Sequence, residues 1–195
     1  LRRMKGWGKD PVGAALALME LCGPTQFSHF DEKGEPVGVP MAAPWIQVAA
    51  VSRDQTRNTF TLFPTMISDD LLADYGLDVN KEIIHKSGGG RIEAVTSSPK
   101  ALEGGRSHFV LMNETQFWLE NNQGKEMAGA IAGNVAKIRG GVARRLAICN
   151  AHIPGMNSVA ADDYRLFLKT EGKSSSMLYD CIEAPPETDL KDLES

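Results

Sequence analysis

The sequence predicts an α/β domain whose central sheet is mostly parallel and flanked by helices on both faces. Short apolar segments of strand length alternate along the chain with segments of helical pattern, the order expected of a parallel sheet with crossover helices. The length of 195 residues suits one domain with a substantial buried core. Hydrophobic residues make up 42% of the chain and charged residues 24%, so a disordered or fibrous protein is excluded.

Capping residues mark the helices in the first half of the chain. The pair Asp10-Pro11 predicts a helix start, because Asp is favoured at the N-cap and Pro at the first helical position. The run 12–22 is apolar on nearly every face, so we expect this helix to be well buried and to end at Gly23-Pro24. Residues 52–55 (Ser-Arg-Asp-Gln) match a capping box that opens a second helix towards Phe63.

Turn residues and apolar runs predict the remaining elements. Loop 23–43 is rich in glycine and proline and is expected to hold a short hairpin around residues 31–34. The glycines 88–90 separate the strands of another expected hairpin. In chain order, the other expected elements are the end of a strand at 1–4, strands at 45–51, 83–85, 91–95 and 108–112, a helix at 125–138, a strand at 146–149, a helix at 158–169 and a last strand at 177–182.

The charge, the cysteines and the hydropathy exclude several classes of protein. Lys and Arg total 21 against 25 Asp and Glu, which excludes a basic domain that coats nucleic acid without specificity. Three widely spaced cysteines without a CxxC pair indicate reduced thiols in a cytosolic protein. No apolar run reaches the roughly 18 residues of a membrane span. The densest basic cluster outside the amino terminus is either a solvated face or a nucleic-acid contact, and it comprises Lys137, Arg139, Arg144 and Arg145.

A glycine-rich segment in front of the first helix matches part of a phosphate-binding loop. Such a loop, G-x-x-x-x-G-K-[ST], surrounds phosphate oxygens with backbone N–H groups and a helix N-terminus, and its Lys reaches the outer phosphates. Gly8 and Lys9 fit, whereas Arg3 replaces the first Gly and Asp10 replaces the hydroxyl residue that holds Mg²⁺. Without a ligand, Lys9 is expected to face solvent. The alternative is a glycine-rich turn before a proline-started helix. The expected nucleotide-binding residues are Arg3, Lys5, Gly6, Trp7, Gly8, Lys9 and Asp10.

The segment 108–114 (His-Phe-Val-Leu-Met-Asn-Glu) indicates an apolar strand that ends in two polar residues. In P-loop NTPases a second strand ends in an acidic pair, whose first residue orients Mg²⁺ and whose second polarises the attacking water. Here Asn113 stands where Asp is usual, and Glu114 is retained. The alternative is a strand that ends in a polar turn. Because both motifs follow strands in the correct chain order, together they predict a P-loop NTPase-like fold.

The set of motifs resembles the ATPase domain of the large terminase subunits of tailed bacteriophages. The resemblance covers nearly the whole chain, from the phosphate loop to about Glu183. In this family an ATPase domain precedes a nuclease domain, and the protein pumps double-stranded DNA into a procapsid through a portal ring. The residues that carry the resemblance are 48–52 (VAAVS) with Gln55, 103–106 (EGGR) with 108–118, and 148–151 (ICNA) with Pro154-Gly155 and Ser158-Val159.

The resemblance implies roles for the residues of the two motifs. Lys9 would bind the β- and γ-phosphates of ATP, and Glu114 would activate water as a catalytic residue. Asp10 and Asn113 occupy both positions that hold Mg²⁺ in the family. These two departures either compensate for one another or weaken metal binding and slow hydrolysis.

Two further sites follow from the same resemblance. Asn150 and Ala151 lie where the family has its coupling motif, in which a polar side chain senses the γ-phosphate and links hydrolysis to domain movement. Arg106 is the expected second catalytic residue, because it lies near the arginine finger that reaches a neighbouring subunit in some members. Glu103 aligns at that position about as well.

The resemblance also implies domain boundaries, partners and location. Residues 1–184 would form the ATPase domain without its extreme N-terminal part, and residues 185–195 would begin a linker towards an absent nuclease domain. The implied partners are double-stranded DNA, contacted at its backbone, the portal ring, the small terminase subunit and further copies in a ring. The implied location is the cytoplasm of the infected bacterium, with transient docking on the procapsid. The alternatives are a non-catalytic or regulatory nucleotide-binding module and a helicase-like motor.

Overall fold

The computed structural model describes residues 1–96, 102, 105–174 and 176–183, except for the side chain of Arg139. None of the described helices is both long and apolar enough to cross a membrane. The helices are α1 (Lys9–Cys22), α2 (Arg53–Phe60), α3 (Phe63–Met66), α4 (Asp69–Tyr75), α5 (Gly124–Lys137) and α6 (Val159–Lys169), with 3₁₀ turns at Thr115–Phe117 and Arg139–Gly141. The strands are β1 (Gln26–Phe30), β2 (Pro36–Val39), β3 (Trp45–Ala50), β4 (Leu77–Val79), β5 (Ile83–Lys86), β6 (Arg91–Thr96), β7 (Phe109–Asn113) and β8 (Arg144–Ile148).

Six strands form the central sheet, in the order β4-β5-β6-β3-β7-β8. The strands β6, β3, β7 and β8 run parallel, and β4 and β5 extend the sheet in antiparallel pairing. The inner strands β3 and β7 are almost wholly buried, as parallel strands covered on both faces should be. A separate hairpin of β1 and β2 lies in the predicted loop. The predicted α/β class with a mostly parallel sheet is confirmed.

Helices cover both faces of this sheet. On one face α1 and α2 pack on residues such as Ile46 and Leu111. On the opposite face α5, through residues such as Met127, packs with Ala49 and Val110. Successive residues of a strand point to opposite faces, so one continuous apolar run such as β3 supplies both cores. The two apolar cores hold the parallel strands in place, so the positions of their carboxyl-terminal ends are well defined.

The start and the burial of α1 differ from the prediction. Gly8, not Asp10, is the N-cap of α1. Its left-handed backbone (φ 96°) turns the loop into the helix, so that the first helical residue is Lys9 and the Asp-Pro pair follows inside the first turn. Asp10 is the second helical residue, where its charge suits the helix N-terminus. One stripe of α1 is exposed, with Val12 at 37%, Leu16 at 36% and Met19 at 55%. The expectation of a well-buried helix therefore holds for its inner face but not for this stripe.

The two ends of the described chain meet beside β8. Arg2 pairs in parallel with Cys149 on one side and with Cys181 on the other. The predicted strand end at 1–4 is thus reduced to the bridges of Arg2, and the predicted last strand at 177–182 to the single pairing of Cys181. This last segment is held by two backbone hydrogen bonds with Arg2, at Asp180 and Ile182, and by the stacking of Tyr179 on Phe167 with ring centroids 4.6 Å apart.

The region between α2 and β5 holds three elements that the sequence patterns did not predict, α3, α4 and β4. Their signals are short and local: Ser68 caps α4 by accepting the N–H of Leu71 at 3.2 Å, and left-handed Gly76 ends the helix. Helices of four and seven residues are too short to show a clear apolar period.

A buried polar cluster fastens the end of α1 to the amino-terminal ends of the parallel strands. The carboxylate of Glu20 accepts hydrogen bonds from His108 Nε2 at 3.1 Å, Thr25 Oγ1 at 2.8 Å and Arg144 at 2.8 Å. The other ring nitrogen of His108 accepts the N–H of Trp45, which leaves Nε2 as the donor to Glu20. Burial alone would raise the pKa of Glu20, but these hydrogen bonds and the Arg144 charge hold the pKa below its ordinary value.

Candidate functional site

The glycine-rich loop enters α1 at the carboxyl-terminal edge of the parallel strands. Gly6 and Gly8 both have left-handed backbones, with φ of 86° and 96°, and a Cβ at either position would meet no atom within 4 Å. The loop closes on itself through the N–H of Trp7, which donates to Met4 O at 3.3 Å. These glycines are therefore required by backbone conformation and leave the space in front of the helix N-terminus open.

Lys9 is turned inward and contacts Glu114. Its ammonium lies 2.6 Å from Glu114 Oε1 and 3.6 Å from Asp10 Oδ2, and its side chain is only 7% exposed. The expectation that Lys9 faces solvent without a ligand is wrong, because a carboxylate at the end of β7 is close enough to hold it. A cation next to a helix N-terminus forms an anion-binding arrangement.

Glu114 follows β7 with a left-handed backbone, φ 55° and ψ 48°, which is uncommon for a residue with a side chain. Its second oxygen, Oε2, accepts hydrogen bonds from the side-chain amide of Gln116 and from Asn150 Nδ2, the latter at 3.4 Å. The carboxylate is thus held between the loop lysine and two amides. Strained backbones of this kind are typical of functional sites.

Asn113 is 2% exposed, and the hydrogen bonds of its side-chain amide fix its orientation. Its Nδ2 donates to Thr59 Oγ1 at 3.0 Å and to the carbonyl oxygen of Gln55 at 3.4 Å. A carbonyl can only accept, so the amide nitrogen must face α2 and the oxygen Oδ1 must face the other way. Among the described residues Oδ1 has no hydrogen-bond partner, although it is buried. Such an orphaned oxygen suits a cation or a bound donor.

These residues line one cleft of about 410 Å³. The cleft brings together Lys9, Asp10, Asn113, Glu114 and Asn150, as the sequence predicted for the edge where parallel strands end. Two more of the predicted nucleotide-binding residues, Lys5 and Gly6, also line it. In the described ranges no cluster of three or more His, Cys, Asp or Glu side chains could hold a metal by itself.

Four residues predicted for the loop and the coupling motif lie outside this cleft: Arg3, Trp7, Gly8 and Ala151. Arg3 is buried, bonds to Asp180 Oδ2 at 2.7 Å and stacks on Trp7 with 4.7 Å to the ring centroid. Ala151 borders a neighbouring cavity of about 380 Å³, together with Met4. Gly8, the N-cap described above, contributes backbone conformation and no lining surface.

Arg106 lies at the other edge of the sheet from Glu114. It is exposed and precedes the start of β7, whereas Glu114 follows its end. Five residues of strand span about 16 Å, so Arg106 does not reach the cleft of its own chain. Its expected role at a neighbouring subunit stays a prediction. Glu103 and Gly104, which share its segment of the resemblance, lie outside the described residues.

Sequence reasoning missed two residues of the site and found only part of the role of a third. Ser52 Oγ accepts the N–H of Gln55 at 3.4 Å, so the predicted cap is confirmed, but Gln55 Oε1 is buried and unpartnered within the described chain. Gln55 also lines the cleft, as does Asn58, a residue that belonged to no recognisable sequence motif. Gln116 was missed as well, although its place two residues after Glu114 was a usable signal.

One pKa shift lies beside the cleft. Burial raises the pKa of the Cys149 thiol, the residue just before Asn150. This cysteine therefore stays protonated at neutral pH and adds no charge at the end of β8. Cys149 is buried beside Arg2, with which it pairs, and such burial is typical of a packing cysteine rather than of a reactive one.

Comparison with known proteins identifies both close relatives and a fold. No protein-family model matches the chain. The chain is 54% identical over 201 residues to the Gene 13 protein of Mycobacterium phage L5 and 54% identical over 203 residues to that of phage D29. These alignments cover 99% and 100% of the chain but only 34% of each relative, so the chain spans about a third of their length.

A solved structure supplies the fold. The crystal structure of the HK97 bacteriophage large terminase matches with a TM-score of 0.73 over the whole of this chain and 37% of that one, at 16% sequence identity. The resemblance seen in the sequence is thereby confirmed at the level of the fold: this chain, a relative of phage proteins, has the fold of a bacteriophage large terminase.

Proposed function

We propose that this chain is the ATP-hydrolysing part of a motor that moves double-stranded phage DNA into procapsids. The observation that carries the proposal is the 2.6 Å contact between Lys9 and Glu114, in a cleft between a glycine loop and the ends of parallel strands. A phosphate-binding lysine and a water-activating carboxylate are the two groups that such hydrolysis needs. The large terminase fold supports the motor role.

Each of these groups has a defined part in the reaction. The loop amides, the α1 N-terminus and Lys9 bind the β- and γ-phosphates and offset the charge on the transferred phosphoryl group. A water oxygen bonds to the γ-phosphorus, and the bond to the β–γ bridging oxygen breaks, so ADP leaves with that electron pair. Glu114 accepts the proton of the attacking water.

The residues at the two metal positions fit Mg²⁺. Asp10 offers a carboxylate at the mouth of the cleft, and Asn113 offers its buried, orphaned Oδ1. Magnesium prefers oxygen ligands and is usually held by one or two carboxylates together with substrate phosphates and waters. When bound, the ion would offset phosphate charge; Asp10 and Asn113 would hold and orient it.

The wider assembly follows from the motor role. DNA would be bound at its backbone without sequence preference, through a basic edge of the ring rather than through the slightly acidic chain as a whole. The exposed Arg106 would enter the cleft of a neighbouring copy. The portal ring and the small terminase subunit would be further partners, in the cytoplasm of the infected host and at the procapsid.

A second candidate function is a nucleotide-binding module without turnover. The neutral Asn113 favours it, because this position carries a carboxylate in active P-loop enzymes. Glu114→Gln in the full-length protein separates the two candidates, since it keeps the shape of the side chain and removes the base. Under the leading proposal this variant binds ATP but loses hydrolysis stimulated by procapsids, while the exposed control Glu126→Gln retains both. No turnover in the unmodified protein would favour the module, whereas stimulated turnover that does not depend on Glu114 would contradict the role of Glu114 as the base.

A further inference from the structure

We propose that Gln116 is a positioning residue of this site, which fixes the Glu114 carboxylate and ties it to Asn150 at the end of β8. The inference rests on the proposed hydrolytic function and adds a residue to it. Gln116 lies in the 3₁₀ turn after β7 and is 2% exposed.

The hydrogen bonds of Gln116 allow only one orientation of its amide. Its Oε1 accepts the backbone N–H of Asn150 at 3.2 Å, and its Nε2 donates to Glu114 Oε2. A backbone N–H can only donate and a carboxylate can only accept, so a flipped amide would lose both bonds. Burying an amide is costly unless it is hydrogen-bonded, and both polar ends of Gln116 are engaged by residues of the cleft.

This arrangement divides the two oxygens of Glu114 between two tasks. Oε1 contacts Lys9 at 2.6 Å, and Oε2 is held by Gln116 and Asn150. When phosphates attract Lys9, Oε1 is released towards the reacting water while Oε2 stays fixed. Gln116, together with Asn150, therefore determines which oxygen can take the proton.

The same side chain joins the ends of two neighbouring strands. Glu114 follows β7, and Asn150 lies two residues beyond β8. Gln116 accepts the N–H of Asn150 and donates to Glu114, so a displacement of Asn150 would move Gln116 and, through it, the carboxylate of Glu114. The contact thus gives a physical link between the base and the segment expected to couple hydrolysis to movement.

The test compares two glutamine variants in the full-length protein. Gln116→Met keeps the length and burial of the side chain and removes both hydrogen bonds. Gln47→Met is the matched control, because Gln47 is also 2% exposed and makes two amide hydrogen bonds, from Ser107 at 2.9 Å and to Glu93 at 3.0 Å. Gln47 lies on β3 and does not line the cleft.

We expect Gln116→Met to lower kcat for stimulated ATP hydrolysis about tenfold or more, the size typical of a lost supporting contact, with unchanged affinity for ADP. Gln47→Met should keep kcat, although it should lower the melting temperature about as much as Gln116→Met does.

Two results would overturn the inference alone: an unchanged kcat in Gln116→Met, or an equal fall in kcat in Gln47→Met. An unmodified protein that binds nucleotide without turnover would instead overturn the proposed function, and this inference with it. The two failures are therefore distinguishable in one set of measurements.

Discussion

Replacing Lys9 by methionine tests the contact on which the proposed function depends. Methionine keeps an unbranched stem and removes the ammonium group. The side chains of Lys9 and Glu114 are only 7% and 16% exposed, so the change leaves a carboxylate buried without its cation. Loss of one partner of a buried ion pair costs about 3–5 kcal/mol. Because two amides still bind Glu114 Oε2, we expect the free energy of unfolding to fall by about 2 kcal/mol.

Urea unfolding of the nucleotide-free protein measures this change, and calorimetry measures ATP binding on the same samples. Lys9→Met should lose measurable ATP affinity, since Lys9 is the only cation of the described chain that forms an ion pair with Glu114. Adding Glu114→Gln should recover most of the lost stability, because the buried charge is then gone. Lys5→Met, an exposed lysine of the same loop, is the control and should leave the stability unchanged.

Two outcomes would refute this reasoning separately. Equal free energies of unfolding for Lys9→Met and the unmodified protein would show that the ion pair does not form in solution. Retained ATP affinity in Lys9→Met would remove the phosphate-loop interpretation, whatever happens to stability.

Three further predictions concern the neighbours of this pair. Glu114→Gln should bind ATP about tenfold more tightly, measured by calorimetry, because phosphates no longer compete with a carboxylate for Lys9; weaker binding would contradict this. ATP titrations with and without Mg²⁺ should show that Asp10→Ser makes ATP binding less dependent on the metal. Hydrolysis assays should show that Asp10→Ser combined with Asn113→Asp raises the rate. Equal metal dependence in all variants would mean that Asp10 acts only as a negative charge at the helix N-terminus. The pKa of Glu20 is lower in the folded state, so its stabilising effect is present above the ordinary value of 4.5 and is lost as the pH falls below it. Urea unfolding between about pH 6 and pH 3 should therefore show a shallower decline for Glu20→Gln.

Local sequence signals predicted the elements that place the site. Apolar runs predicted β3, β7 and β8, and the parallel order that follows from alternating elements brings their ends to one edge. The glycines of the loop and the polar pair at 113–114 carried enough information to predict a common cleft. These signals depend on residues close together in the sequence, which is why they could be recognised without the fold.

The remaining features depend on partners that are distant in the sequence. Lys9 is buried because Glu114, across the cleft, binds it, and Arg3 is taken out of the loop by Asp180 at the other end of the described chain. The segment 177–182 has a strand-like composition, but its side chains pack on α6 instead of completing a ladder. No local pattern contains these contacts, so the sequence predicted the place of the cleft better than the orientation of its side chains.

The charge balance of the cleft gives a physical reason for the unusual Asn113. The charged residues lining it are two cations, Lys5 and Lys9, and two anions, Asp10 and Glu114. A carboxylate at position 113 would add a third negative charge to a buried position and would face the carbonyl oxygen of Gln55, which the Asn113 amide now binds. Asparagine therefore keeps an oxygen ligand for a cation and leaves the nucleotide-free cleft neutral. If the proposed metal site exists, the carboxylate at Asp10 and the amide at Asn113 are one exchange, in which the charge of that site lies on α1 instead of on β7.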